Sequence, residues 1–197
     1  MCDGHWISDR LRKDCEVNED VQPSESVTST AETAASEEAV AATSESTAPA
    51  KDAIYEDANG WKVTYNSERF EINKKDNIVT FVYMGESTGT NMITVTYDVD
   101  KTAKEAVDEI AASWGSDTVI RNEGTFPGAD NVNGFFATLP PASDGSGLYE
   151  TAVARDYMGG YLMFELTGHN SGDDELDMEV GDQLAAVIDS LEFPYEN

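Results

Sequence analysis

The chain of 197 residues carries 39 Asp and Glu against 12 Lys and Arg, a formal net charge of −27, with 40% hydrophobic residues and two cysteines. So strong an anionic balance excludes nucleic acid as a partner, because phosphate recognition needs clustered Lys and Arg, and anionic lipid headgroups would repel it. No apolar run reaches the roughly 18 residues that a spanning helix needs, and two cysteines are too few to staple a small fold.

Composition changes near residue 50. Arg10, Arg12 and Lys13 are the only bases before Lys51, and from Asp14 to Ala50 the charged residues are all acids among Ser, Thr, Ala and two prolines, with no aromatic residue. Such a stretch cannot bury enough apolar surface to offset the entropy of ordering. Residues 1–50 therefore read as a disordered, self-repelling acidic tether, and residues 16–50 alone would reach about 33 Å as flexible chain. Residues 51–197 hold all the Tyr and Phe and two of the three Trp. A segment of that length buries roughly 68% of the surface its unfolded chain exposes, so one domain is expected.

After Gly60 the apolar residues alternate. Trp61, Val63 and Tyr65 share one face and Phe70 and Ile72 follow after Ser67-Glu68-Arg69, which predicts a half-buried hairpin. Ile78–Met84 is apolar at nearly every position, which predicts a central strand covered on both sides. Gly85–Thr90 is turn chemistry, and Met92–Tyr97 alternates again. The period then lengthens: Ala103, Ala106, Val107, Ile110, Ala111 and Trp114 form one helical stripe, opened by a Thr102/Glu105 capping box and stopped at Gly115. Strands follow at Thr118–Phe126, Val132–Leu139, Leu148–Tyr157 and Tyr161–Thr167, the last two turning at Met158-Gly159-Gly160. A second helix runs from Asp173 to Leu191 on the stripe Leu176, Val180, Leu184, Val187/Ile188 and Leu191, with acids crowding its first turn. The order ββββ-α-ββββ-α predicts an α+β domain, a largely antiparallel sheet with two helices packed on it.

Several residues invite a chemical reading. Gly85-Glu86-Ser87-Thr88-Gly89 matches the G-x-S-x-G pattern of serine hydrolases, but that nucleophile sits on a strand-to-helix turn, and here a strand follows. His169 is the only downstream histidine and falls in a loop-like Thr-Gly-His-Asn-Ser-Gly. The segment is a polar hairpin loop on this reading, and a hydrolase using Ser87 is the least favoured alternative. Asp98, Asp100 and Glu109 occupy positions 1, 3 and 12 of a calcium-loop template, yet position 6 is Ala103 instead of Gly and a helix already claims the segment. Asp144 in its Gly/Ser turn and Asp173, Asp174, Glu175 and Asp177 read as a turn and a helix N-terminus. Weak divalent-cation binding through such surface carboxylates is the second functional alternative. Cys2, His5 and Cys15 offer three zinc ligands without a fourth and without a C-x-x-C knuckle. A Cys2–Cys15 disulfide or free thiols account for the pair equally well.

Three features resemble the PsbP-like fold, shared by an extrinsic photosystem subunit and bacterial lipoprotein families of the Gram-positive type. They are the aromatic-rich opening Trp61-Lys-Val-Thr-Tyr65-Asn-Ser-Glu-Arg-Phe70-Glu-Ile72, the late hairpin Tyr149–Leu166 around Gly159-Gly160, and the closing helix ending Ile188-Asp-Ser-Leu-Glu-Phe193. The resemblance spans roughly residues 59–193 and implies assembly, interaction or ligand binding without catalysis. It assigns no site residue and no cofactor. Cys2 followed by a Ser/Thr/Ala/Glu tether and a globular domain is the layout of a mature bacterial lipoprotein, although residues 1–197 contain no apolar signal segment. The expectation is a non-enzymatic, extracytoplasmic binding or assembly domain, with Cys2 as the candidate lipid-anchor position and a protein or small molecule as partner.

Overall fold

The computed structural model describes residues 51–196. The expectations placed on residues 1–50, including the tether and the roles of Cys2, His5 and Cys15, lie outside the described residues. The elements are β1 (Asp52–Glu56), β2 (Lys62–Asn66), β3 (Phe70–Lys75), β4 (Ile78–Tyr83), β5 (Met92–Asp98), α1 (Ala103–Ser113), β6 (Ile120–Thr125), β7 (Asn133–Leu139), β8 (Gly147–Tyr157), β9 (Gly160–Asn170) and α2 (Asp174–Asp189). Seven strands form one sheet in the order β3-β4-β5-β9-β8-β7-β6, with β1 and β2 in a separate two-stranded sheet. Every strand pairing is antiparallel. The expected α+β class and the two helices are borne out, with one strand more than expected ahead of α1.

That extra strand corrects the first hairpin. The segments around Trp61–Tyr65 and Phe70–Ile72 are both strands but do not pair with each other: β2 pairs with β1, and β3 with β4. The cause is competition for β2's edges. On one side β1 takes it from Asp52↔Asn66 to Glu56↔Lys62. On the other, Lys62 bridges Glu192 of the C-terminal segment, and the Ser190 hydroxyl accepts the Thr64 N–H at 2.8 Å. β3 is claimed instead by the strand just beyond the two-residue turn Asp76-Asn77, where Asp76 is left-handed (φ 55°). Phe70 then meets its register partner Tyr83 edge-on at 5.6 Å.

The helices form where the caps place them. Thr102 and Glu105 make the reciprocal capping box, and Gly115 takes the left-handed stop (φ 63°) after Trp114. Asp173 caps α2 by accepting from the N–H groups of Glu175 and Leu176, with Asp174, Glu175 and Asp177 in the first turn, favourable to the helix dipole. The β8–β9 hairpin turns at Met158 (φ 47°) and Gly159 (φ 85°), both left-handed as a tight primed turn requires. Gly160 is required for a different reason. A Cβ there would lie 2.0 Å from the Asp98 carbonyl oxygen, so only glycine lets β9 start beside the end of β5.

The sheet is packed on both faces, unequally. On one face α2 and the β1–β2 sheet bury Trp61, Val63, Phe81, Ile93, Val95, Leu162 and Phe164 against Val180, Leu184 and Val187. Each such fully buried side chain contributes about 1.5–3 kcal/mol. On the other face α1 lies over β7, β8 and β9. Alanines on both sides, Ala103, Ala106 and Ala111 against Ala137, Ala152 and Ala154, allow that close approach.

Candidate functional site

Strand alternation and register define what α1 leaves uncovered. On β4, Val79, Phe81 and Tyr83 are buried, while Ile78, Thr80 and Val82 point to the α1 side. Reading partners across the sheet on that side gives three rows. The first runs Lys75, Ile78, Thr96, Met163, Ala154, Phe135. The second runs Asn73, Thr80, Thr94, Glu165, Ala152, Ala137, and the third Glu71, Val82, Met92, Thr167, Glu150, Leu139. α1 occupies the alanine end of these rows. At the other end, over β3, β4 and β5, the residues broaden to Thr, Val, Met and Ile, and none of the described elements packs there.

The expectation that Ile78–Met84 is covered on both sides is therefore corrected. Ile78 is 40% exposed and Met84 59% exposed, and Val82 and Met92 are only half-buried. The apolar run reflects a strand with one face in the core and one apolar face turned outward.

Two carboxyls stand where the bare half meets α1. Glu150 is 8% exposed and accepts from the Thr167 hydroxyl at 2.8 Å. Burial pushes its carboxyl above the usual range, and the charge of Glu165 adds to this against the opposing effects of Thr167 and His169. Glu165, beside the Trp114 indole, is likewise pushed up by burial. In both, burial disfavours the ionised form, and both stand beside an apolar strip. The one sign of these acids in the sequence is a charge at an inward position of the Leu148–Tyr157 run, in step with Ala152 and Ala154.

The residues singled out in the sequence gather in part at one end of the sheet. Gly89 backs onto the His169 ring, and Ser146 lies against Gly172. His169 is in strand β9, not in a loop as expected, because its N–H is held by the buried Asn91 side chain at 2.8 Å. Its ring Nδ1 lies 2.8 Å from the Thr90 carbonyl. The Ser87 hydroxyl donates to Gly89 O at 2.9 Å, closing its own exposed turn, and a strand follows it. Asp144 accepts from the backbone and hydroxyl of Ser146, and Asp177 from Ser171 and Gly172. These acids spend their lone pairs on local donors.

The calcium-template residues do not converge on a cation site. Asp98 accepts from the Val99 N–H and the Asn77 amide, while Lys101 bridges Asp100 at 3.3 Å and Glu109 at 2.6 Å. Among the described residues no group of three or more His, Cys, Asp or Glu comes together to hold a metal. Among them, too, no helix is long and apolar enough to cross a membrane.

No protein-family model matches the chain, and no curated protein does. Among solved structures, the chain is similar to cyanobacterial PsbP from Synechocystis sp. PCC 6803, at 13% identity and a TM-score of 0.45, over 75% of this chain and 95% of that one. It is also similar to a protein from Bacteroides thetaiotaomicron VPI-5482, at 11% identity and a TM-score of 0.38, over 73% of this chain and 48% of that one.

Proposed function

We propose that this chain is a non-enzymatic, extracytoplasmic binding or assembly protein. In it residues 51–197 form the docking domain, residues 1–50 the acidic tether, and Cys2 the lipid-anchor position. The observation that carries the reading is the uncovered half of the sheet, where Ile78, Val82, Met84 and Met92 are left wholly or partly in solvent beside a row of threonines. Apolar side chains left in solvent together on one sheet face of a strongly charged protein mark an interaction site. Glu71, Glu150 and Glu165 border that strip, so the partner presents apolar side chains flanked by Lys or Arg. The linker composition and the resemblance to lipoprotein families support the tether and the anchor.

A photo-crosslinking residue placed at Thr94, on the open face, should give one discrete adduct in producing cells, and the same residue at Ala185, on the exposed side of α2, should give none. Equal adducts at both positions, or none at either, would remove the docking face. The anchor is tested separately. A palmitate analogue should label the protein expressed with its natural upstream sequence, and Cys2→Ser should abolish the label; persistent labelling rules Cys2 out.

A further inference from the structure

Strand β3 is one edge of the large sheet. Its pairing with β4 closes on the two-residue turn Asp76-Asn77, which makes Lys75 and Ile78 a mutually hydrogen-bonded pair. The far end keeps the same phase, where the Met84 N–H donates to the Arg69 carbonyl at 2.6 Å. Glu71, Asn73 and Lys75 therefore turn their N–H and C=O groups toward β4. Phe70, Ile72 and Lys74 turn theirs outward, and no described strand takes them up. Such a row is a template for another strand.

The charges along β3 are as unmatched as its backbone. Nine bases run from Lys51 to Arg155. Eight of them reach an acid of the same chain, from Lys51 with Glu68 to Arg155 with Glu196. Among the described residues Lys75 is the one that does not, although the chain carries 39 acids. Glu71, exposed on the same face of the same strand, also stands outside every ion pair among the described residues. The opposite edge, β6, carries Arg121, but that base already bridges Asp108 at 3.6 Å.

A second copy supplies what both residues lack. Running β3 antiparallel to itself about Asn73 sets Glu71 opposite Lys75 of the second copy, and by symmetry Lys75 opposite Glu71 of the second copy. The backbone falls in step, because Ile72 then faces Lys74 of the second copy and the two exchange their outward hydrogen bonds. Glu71 and Lys75 occupy the non-hydrogen-bonded positions, where opposed side chains come closest. Half-buried Ile72 gains the methylene stem of the facing lysine. We propose that the protein forms a two-fold dimer through β3, with Glu71 and Lys75 pairing reciprocally across the interface. The observation is independent of the docking strip. In the dimer the two open faces lie side by side in one continuous sheet, with Glu150 and Glu165 still at their borders.

Sedimentation velocity of the full chain in about 0.3 M NaCl tests this, since that salt confines the repulsion between two copies of charge −27 to roughly 6 Å. Wild type should pass from monomer to dimer below about 1 mM chain. Glu71→Lys alone and Lys75→Glu alone each set like charges face to face at both symmetric positions, and each should weaken association at least about tenfold. An equimolar mixture of the two variants restores opposite charges and should associate as wild type does. Arg121→Glu, on the other edge, should leave the wild-type dimer unchanged. All three positions are exposed, so no substitution enters the core. Wild type that stays monomeric to about 1 mM, single variants that associate as wild type does, or a mixture no tighter than its components overturns the proposal. So does loss of the dimer in Arg121→Glu.

Discussion

Replacing Asp57 with Ala removes the junction between the β1–β2 sheet and the large sheet. The Asp57 carboxylate is 5% exposed and accepts from the Tyr55 hydroxyl at 3.0 Å, the Asn59 N–H and side-chain amide at 2.9 Å each, and the Lys74 ammonium of β3 at 2.7 Å. Lys74, whose side chain is 46% exposed, re-solvates at little cost when its partner goes. Tyr55 and Asn59 do not: each donor left unpaired in part-buried surroundings costs about 1–3 kcal/mol. Asp57→Ala should therefore cost about 3–5 kcal/mol, a large part of the ~5–15 kcal/mol of a typical domain. Lys74→Met, which leaves three donors on Asp57, should cost only about 1–2 kcal/mol.

The pH dependence follows from the same geometry. Burial alone would raise the Asp57 carboxyl, but the hydrogen bonds from Lys74, Asn59 and Tyr55 outweigh it and hold the group below the usual range. A carboxyl lowered in the folded state stabilises fully above its unfolded value, about 3.9, and that contribution disappears as pH falls through the folded value. Urea unfolding followed by tryptophan fluorescence should show a constant gap between wild type and Asp57→Ala from pH 7 to about pH 5, narrowing below about pH 4. A cost under about 1 kcal/mol, or a gap unchanged down to about pH 2, would refute the reasoning.

Glu150 behaves in the opposite sense. Its raised carboxyl disfavours the ionised form in the fold, a penalty complete above the folded value and absent below the unfolded value of about 4.3. Glu150→Gln should raise Tm by a few degrees at pH 7, with no advantage near pH 4, and a lower Tm at pH 7 would contradict the assigned burial. Asp173→Ala removes the α2 cap and should cost about 1 kcal/mol in urea unfolding; no measurable loss would mean that the cap contributes nothing. Ser87→Ala should leave labelling by a broad fluorophosphonate probe and Tm unchanged, whereas loss of a labelled band would revive the nucleophile.

Local chemistry was readable where the partner is a near neighbour in sequence. The Thr102/Glu105 box, the stop at Gly115, the acidic start of α2 and the Met158-Gly159 turn each settle within a few residues. Pairing between β1 and β2 was not, because Asp52–Glu56 turns Ile54 outward between acids and lacks a clean apolar alternation. The partner of Trp61–Tyr65 is not legible locally, because its free edge is settled by residues far along the chain, Ser190 and Glu192. Ile78–Met84 carries the apolar content of a two-sided strand, and composition cannot say whether the second side is filled by the same chain. The Asp57–Lys74 and Arg155–Glu196 contacts, 17 and 41 residues apart, leave no local pattern at all.

The uncovered half of the sheet is tested most directly by the urea stability of the full chain carrying Val82→Gln, with wild type alongside. On an open face the amide stays hydrated, and stability should remain within about 0.5 kcal/mol of wild type. If the chain itself closed that face, the lost valine burial and the trapped amide would together cost more than about 2 kcal/mol, and a loss of that size would contradict the docking surface.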